Sequence, residues 1–208
     1  VDTIVSAVSS PRPGRPTIQP GWLRITHWVN VLAITVMVMS GWRIYNASPF
    51  LDFRFPNQYT LGGWLGGALQ WHFAFMWLLV GNGLVYLVVN LASGRMARRF
   101  LPLSPRGMLR DALDAMRGRL SHADVRHYNH VQRAAYLFVI VDIVALVVSG
   151  LAIWKPVQFG PLCALLGGYE PARRVHFAAM SLLVAFVVLH VSMVALVPRT
   201  LRSMITGR

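Results

Sequence analysis

Of 208 residues, 55% are hydrophobic and only 13% charged, yet 20 Lys and Arg stand against 7 Asp and Glu, for a formal net charge of +13. A nucleic-acid binder would spread those cations over a polar surface that a mean hydropathy of +0.51 does not leave, and a chain this apolar buries more than its ordering entropy costs, which excludes disorder. A single Cys removes any disulfide framework and any C-x-x-C metal or covalent-cofactor motif, so the class that remains is a small integral membrane protein.

Residues 1–20 are punctuated by Pro and Arg without an apolar stretch, and read as a flexible cytoplasmic tail rather than a cleavable signal peptide. Four apolar runs follow, at about 22–45, 64–91, 131–154 and 172–197, each long enough for a helix to cross about 30 Å of hydrocarbon. Trp22, Trp28, Trp42, Trp64, Trp71 and Trp154 lie near the run ends, where indole rings settle at the membrane interface. Runs this long leave no polar face for water, so a soluble bundle is disfavoured and an all-α integral membrane four-helix bundle is expected. Between the first two spans, Pro49, Pro56 and a glycine-rich run predict irregular structure. Between spans two and three, Met108, Leu109, Ala112, Leu113, Met116 and Leu120 recur at helical spacing among Arg106, Arg110, Arg117 and Arg119, which predicts an amphipathic helix on the membrane surface. No internal repeat stands out.

The cations are sorted by side. Residues 1–24, the segment Ala92–Arg133 and the C-terminal tail together hold 15 of the 20, while the two opposite loops hold only Arg43, Arg54, Lys155, Arg173 and Arg174. The positive-inside rule therefore puts both termini in the cytoplasm, N-in and C-in, in a bacterial inner membrane.

A histidine is costly inside a span and is a functional candidate by default. His27, His72, His176 and His190 lie in or at the edge of spans. His176 and His190 are 14 residues apart, close to four whole turns, and so share one helix face with about 21 Å between them. With the orientation above, depth pairs His27 with His190 on the cytoplasmic side and His72 with His176 on the periplasmic side. Two facing imidazole pairs, one in each leaflet, meet the requirement for two stacked b-type haems, non-covalent and bis-His ligated. Copper or zinc is the competing reading, but a His pair without a third ligand at its depth suits them poorly. Gly41 is 14 residues after His27 and Tyr86 is 14 after His72, each facing the level of the other haem. Met76, Met180 and Met193 read as packing residues against the macrocycle. Arg43, Arg173 and Arg174 sit at the depth of outer haem propionates, as Arg24, Arg126 and Arg133 do on the other side. Asp142 is the acid in the middle of the third span, within reach of a network with Ser149, and Cys163 reads as a packing residue.

On these residues the chain resembles the di-haem cytochrome b subunits of membrane-bound formate dehydrogenase, nickel-iron hydrogenase and thiosulfate-reductase-type complexes. The likeness covers all four spans: a His early in the first, another in the second, and two 14 apart in the fourth. Tyr128-Asn129-His130-Val131-Gln132 also has the form of the Tyr-Asn-x-x-Gln run that borders the quinone site in the formate dehydrogenase type, although the small Gly often found between its Asn and Gln is absent. The resemblance implies a quinone site at Asn129, Gln132 and His190, and a membrane subunit that carries electrons between a periplasmic molybdenum or nickel-iron oxidoreductase and the quinone pool. Its periplasmic loops, 46–63 and 155–171, would be the docking surface, and no nucleic acid enters. The runner-up is a stand-alone di-haem cytochrome b that oxidises superoxide and reduces quinone, for which the five periplasmic cations would form a funnel. A haem-free structural or assembly membrane protein is the third reading.

Overall fold

The computed structural model describes residues 19–94, 104, 106–107, 110, 113 and 130–207. In chain order these form α1 (Gly21–Ala47), a 3-10 turn (Asn57–Tyr59), α2 (Leu65–Ala92), α3 (His130–Trp154), α4 (Gly160–Leu165), α5 (Tyr169–Leu196) and α6 (Pro198–Thr206), with no strand among the described residues. The helices α1, α2, α3 and α5 are long and apolar enough to cross a membrane. Helix is the outcome hydrocarbon enforces on such runs, since every backbone N–H and C=O must be paired within its own segment. Arg106, Gly107, Arg110 and Leu113 are helical; the rest of the expected surface helix, and the tail through residue 18, lie outside the described residues.

The helix ends follow local chemistry. The Pro20 carbonyl accepts from Leu23 and Arg24 to start α1, and α4 and α6 each carry a Pro in the first turn, where a missing N–H costs nothing. Before α2 the chain turns at Gly62 with φ +107°, where a Cβ would stand 2.3 Å from the Ala68 nitrogen, so this close approach requires glycine.

Packing divides the molecule into two hairpins. α1 lies along α2, and α3 along α5, while close backbone approach between the two hairpins is sparse among the described residues. The loop after α1 folds back over one end of the bundle. Asn46 exchanges two hydrogen bonds with the Phe55 backbone, at 2.8 and 2.9 Å, and the Tyr45 hydroxyl donates to the Leu51 and Phe53 carbonyls. Trp42 stacks on Phe55 at 4.6 Å, and Tyr45 meets Phe177 of α5 at 4.9 Å. This aromatic roof joins the two hairpins directly above His176. Cys163 is buried against Ala152 and Ala172, the packing role its sequence context suggests.

Candidate functional site

Three helices, α1, α2 and α5, bring the four histidines together as two pairs between the hairpins. His72 on α2 and His176 on α5, each seven residues into its helix, have ring centres 6.4 Å apart with planes inclined by 66°. His27 on α1 and His190 on α5 have ring centres 6.1 Å apart, inclined by 64°. A metal–nitrogen bond of about 2.0 Å, plus roughly 1.2 Å from each ligating nitrogen to its ring centre, would put two imidazoles on one metal ~6.4 Å apart. Both pairs therefore stand at the spacing of axial ligands on one iron. Among the described residues no third His, Cys, Asp or Glu joins either pair, so a tetrahedral zinc or copper site lacks its ligands. The donor set and the gap between the hairpins fit a planar iron macrocycle.

The outer pair, beneath the aromatic roof, is held by a device that occurs twice. Ser40 Oγ lies 3.0 Å from His72 Nδ1, and Ser149 Oγ lies 3.0 Å from His176 Nδ1. Each hydroxyl donates its single proton to the carbonyl four residues back, Val36 at 2.7 Å and Ala145 at 2.6 Å. Toward histidine each serine oxygen is therefore an acceptor, and the network assigns the ring proton to Nδ1. The Leu146 carbonyl, 3.1 Å from His176 Nδ1, can only accept and requires the same tautomer. Nε2 is left with its lone pair for a metal.

The parallel extends further. Gly41 and Gly150 follow the two serines, and a Cβ on them would meet Cε1 of His72 at 3.5 Å and of His176 at 3.3 Å. Ala68 and Ala172, four residues before the histidines, are both fully buried, and Leu79 and Leu183, seven after them, are buried too. The two hairpins thus present matching half-sites, a likeness that does not stand out in the sequence. Only these few positions are shared, and the Ser-to-His separation is 32 residues in one and 27 in the other, so no fixed sequence period reveals it.

At the inner level the surroundings differ. His27 packs edge-on against Trp28 at 5.5 Å, and Phe186 stacks on His190 at 5.9 Å and 11°. The repeat does not extend to these histidines. The position on α3 that matches His27 holds Tyr136, and the position on α2 that matches His190 holds Tyr86. Asp142 is buried with Oδ2 lacking a hydrogen-bond partner; seven residues from Ser149 along α3, it is about 10 Å away, too far for the network considered from sequence.

The remaining sequence candidates fall as follows. Arg43 donates to Asn57 Oδ1 at 2.7 Å and, with Arg54, Asn46 and Asn57, lines a recess of about 470 Å³ at the outer end. Arg173 pairs with Glu170 at 3.0 Å and donates to the Ser48 carbonyl, so it braces the roof; Arg174 is exposed. Gln132 lies exposed on the first turn of α3, which packs against α5 at the end that carries His190, and Asn129 lies outside the described residues. Sequence reasoning missed Ser40 and α6, and it linked Ser149 to Asp142 rather than to His176. The signal for α6 was present: Pro198 at its start, Leu201, Met204 and Ile205 at helical spacing, and Gly207 at its end with φ +80°.

Comparison with known proteins agrees in kind with this geometry. A family model described as prokaryotic cytochrome b561 matches residues 18–207. A putative protein-methionine-sulfoxide reductase subunit, YedZ1, of Azospira oryzae is 65% identical over 190 residues, covering 91% of this chain and 96% of the relative.

Proposed function

The chain belongs to the prokaryotic cytochrome b561 family, membrane proteins that bind haem b and transfer electrons, and from that premise we propose that it holds two haems b and passes electrons between the quinone pool and a redox partner outside an inner membrane. His27 and His190 would hold the inner group, His72 and His176 the outer. The observation that carries this reading is the pair of cross-bundle imidazole spacings, 6.1 and 6.4 Å. When bound, haem would supply one-electron chemistry, and the paired histidines holding it would disfavour O₂ binding.

The chain's own residues do the rest. Ser40, Ser149 and the Leu146 carbonyl hold the outer imidazoles in one tautomer, and Gly41 and Gly150 leave the space those rings occupy. Asn129 and Gln132 would hydrogen-bond the quinone oxygens, Gln132 from the first turn of α3 at the His190 end, and protons would exchange with the cytoplasm there. At the other end, Arg43 and Arg54, with the exposed apolar Val157 and Leu165, form the surface for the partner. Because the relative's name describes a subunit of a protein-methionine-sulfoxide reductase, we take the partner to be a reductase of that class rather than a formate or hydrogen oxidoreductase. Electrons then run outward. One quinol gives up two electrons and two protons, and one sulfoxide takes two electrons and two protons to give thioether and water.

The test is haem analysis of the purified protein with single histidine variants, followed by co-purification with periplasmic proteins. Two haems per chain, one lost on changing either member of a pair, supports the ligand assignment; retention of both in His190→Ala and His72→Ala sinks it. The second reading, superoxide oxidation at the outer end, is favoured by the Arg43/Arg54 recess and predicts haem reduction by superoxide with no partner protein.

A further inference from the structure

Ser40 and Ser149 are fully buried inside spanning helices, where serine is a mediocre helix former that bonds back to its own backbone. In the electron transfer described above they serve only to set the tautomer of the outer imidazoles. Yet both place the oxygen 3.0 Å from the Nδ1 of a histidine on the neighbouring helix, and both have already spent their proton on a carbonyl. The same arrangement is present in both hairpins, which points to a shared role beyond local packing.

A metal-bound imidazole whose distal N–H donates to an acceptor is fixed in rotation and is a more basic ligand. More basic ligands favour the more highly charged, oxidised iron, and hydrogen bonding around the ligands is one of the levers a protein has on potential. At the inner pair the ring contacts among the described residues are aromatic, with Trp28 and Phe186. We propose that Ser40 and Ser149 are positioning residues that hold His72 and His176 by Nδ1 and lower the midpoint potential of the outer haem. This rests on the reading that those histidines ligate haem. It adds that two serines, one in each hairpin, act together on the outer potential, beside the Leu146 carbonyl that also faces His176 Nδ1.

The experiment is a potentiometric titration of the full-length protein in lipid nanodiscs, with each haem followed by its visible band and low-spin electron paramagnetic resonance signal. It compares Ser40→Ala, Ser149→Ala, the double variant, and Ser40→Thr with Ser149→Thr. The expected result is two haems bound throughout, an outer potential raised in each alanine single and further in the double, an inner potential unmoved, and wild-type values in the threonine variants. An unchanged outer potential with both haems bound overturns the proposal and makes the serines mere packing. Should an alanine variant lose the outer haem, the threonine variants decide: haem held at the wild-type potential supports the role, and failure to hold it overturns it. Failure of the underlying reading shows separately, as wild-type protein without two haems or as His72→Ala that keeps both.

Discussion

Arg24, one turn before His27, donates through Nε to the carbonyl of Met204, 180 residues later in sequence, at 3.3 Å. Its Nη2 reaches the Ile205 carbonyl, and the indole of Trp28 donates to Met204 as well, at 3.3 Å. A cation on the open carbonyls at a helix C-terminus is the favourable arrangement for the helix dipole, so the start of α1 fastens α6 beside the inner histidine pair.

Replacing Arg24 with Ala should release α6 at a cost of about 1 kcal/mol, the usual magnitude for an accessible charged cap. Hydrogen exchange should rise over residues 198–206 while both haems remain bound. Unchanged protection there would mean that Trp28 alone secures the helix.

His190→Ala should halve haem content and leave the outer signal in place, because the outer ligands sit on α2 and the start of α5. His176→Ala should do the converse. Pyridine haemochrome quantification with electron paramagnetic resonance distinguishes the two, and loss of both haems in either variant would show that the sites do not assemble independently.

The two ring-contacting glycines are unequal. A methyl at Gly150 would stand 3.3 Å from His176 Cε1, tighter than ordinary contact, whereas at Gly41 the distance to His72 Cε1 is 3.5 Å. Gly150→Ala should therefore shift the low-spin signal of the outer haem more than Gly41→Ala does, and Gly150→Val should reduce its occupancy. Identical spectra for all three would indicate that the rings have slack to move.

Asn129→Ala and Gln132→Ala should keep both haems and slow quinol oxidation about tenfold, the equivalent of one lost hydrogen bond near 1.4 kcal/mol. Stopped-flow reduction of the inner haem by quinol reads this directly. Unaltered kinetics would leave these side chains as no more than the start of α3.

Reversing charge at the outer recess, with Arg43→Glu and Arg54→Glu, should slow association with the partner and flatten its salt dependence, since rim charges act mainly on encounter. Haem spectra should stay as in wild type. A rate that does not respond would move the docking surface away from this recess.

How much could be read in advance follows from the physics of each feature. The spanning helices are legible because hydrocarbon demands unbroken apolar runs, and the depth pairing of His27 with His190 and of His72 with His176 follows from helical rise and direction alone. Ser40 and Ser149 were not legible: a buried serine differs from a lipid-facing one only in what the neighbouring helix places opposite its hydroxyl. Arg173 illustrates the converse, since its position suggested a propionate partner while its actual bonds go to Glu170 and the Ser48 carbonyl, partners that depend on how the roof folds. α6 escaped because the cations of the tail were read for topology and not for periodicity, and α4, at six residues, is too short to show a period.

The matching half-sites also bear on symmetry. At the outer level like meets like, Ser-Gly and His from one hairpin against Ser-Gly and His from the other, which is the self-complementary contact that two identical subunits make about a two-fold axis. A lone hairpin pairing with its twin would already assemble the outer position. It would not assemble the inner one, whose ligands stand at non-equivalent places, with Tyr136 and Tyr86 occupying the matching sites. The two hairpins therefore match one another at the outer histidine level and part company at the inner one, so a change at Ser40 or Gly41 has a counterpart at Ser149 or Gly150 while a change at His27 has none.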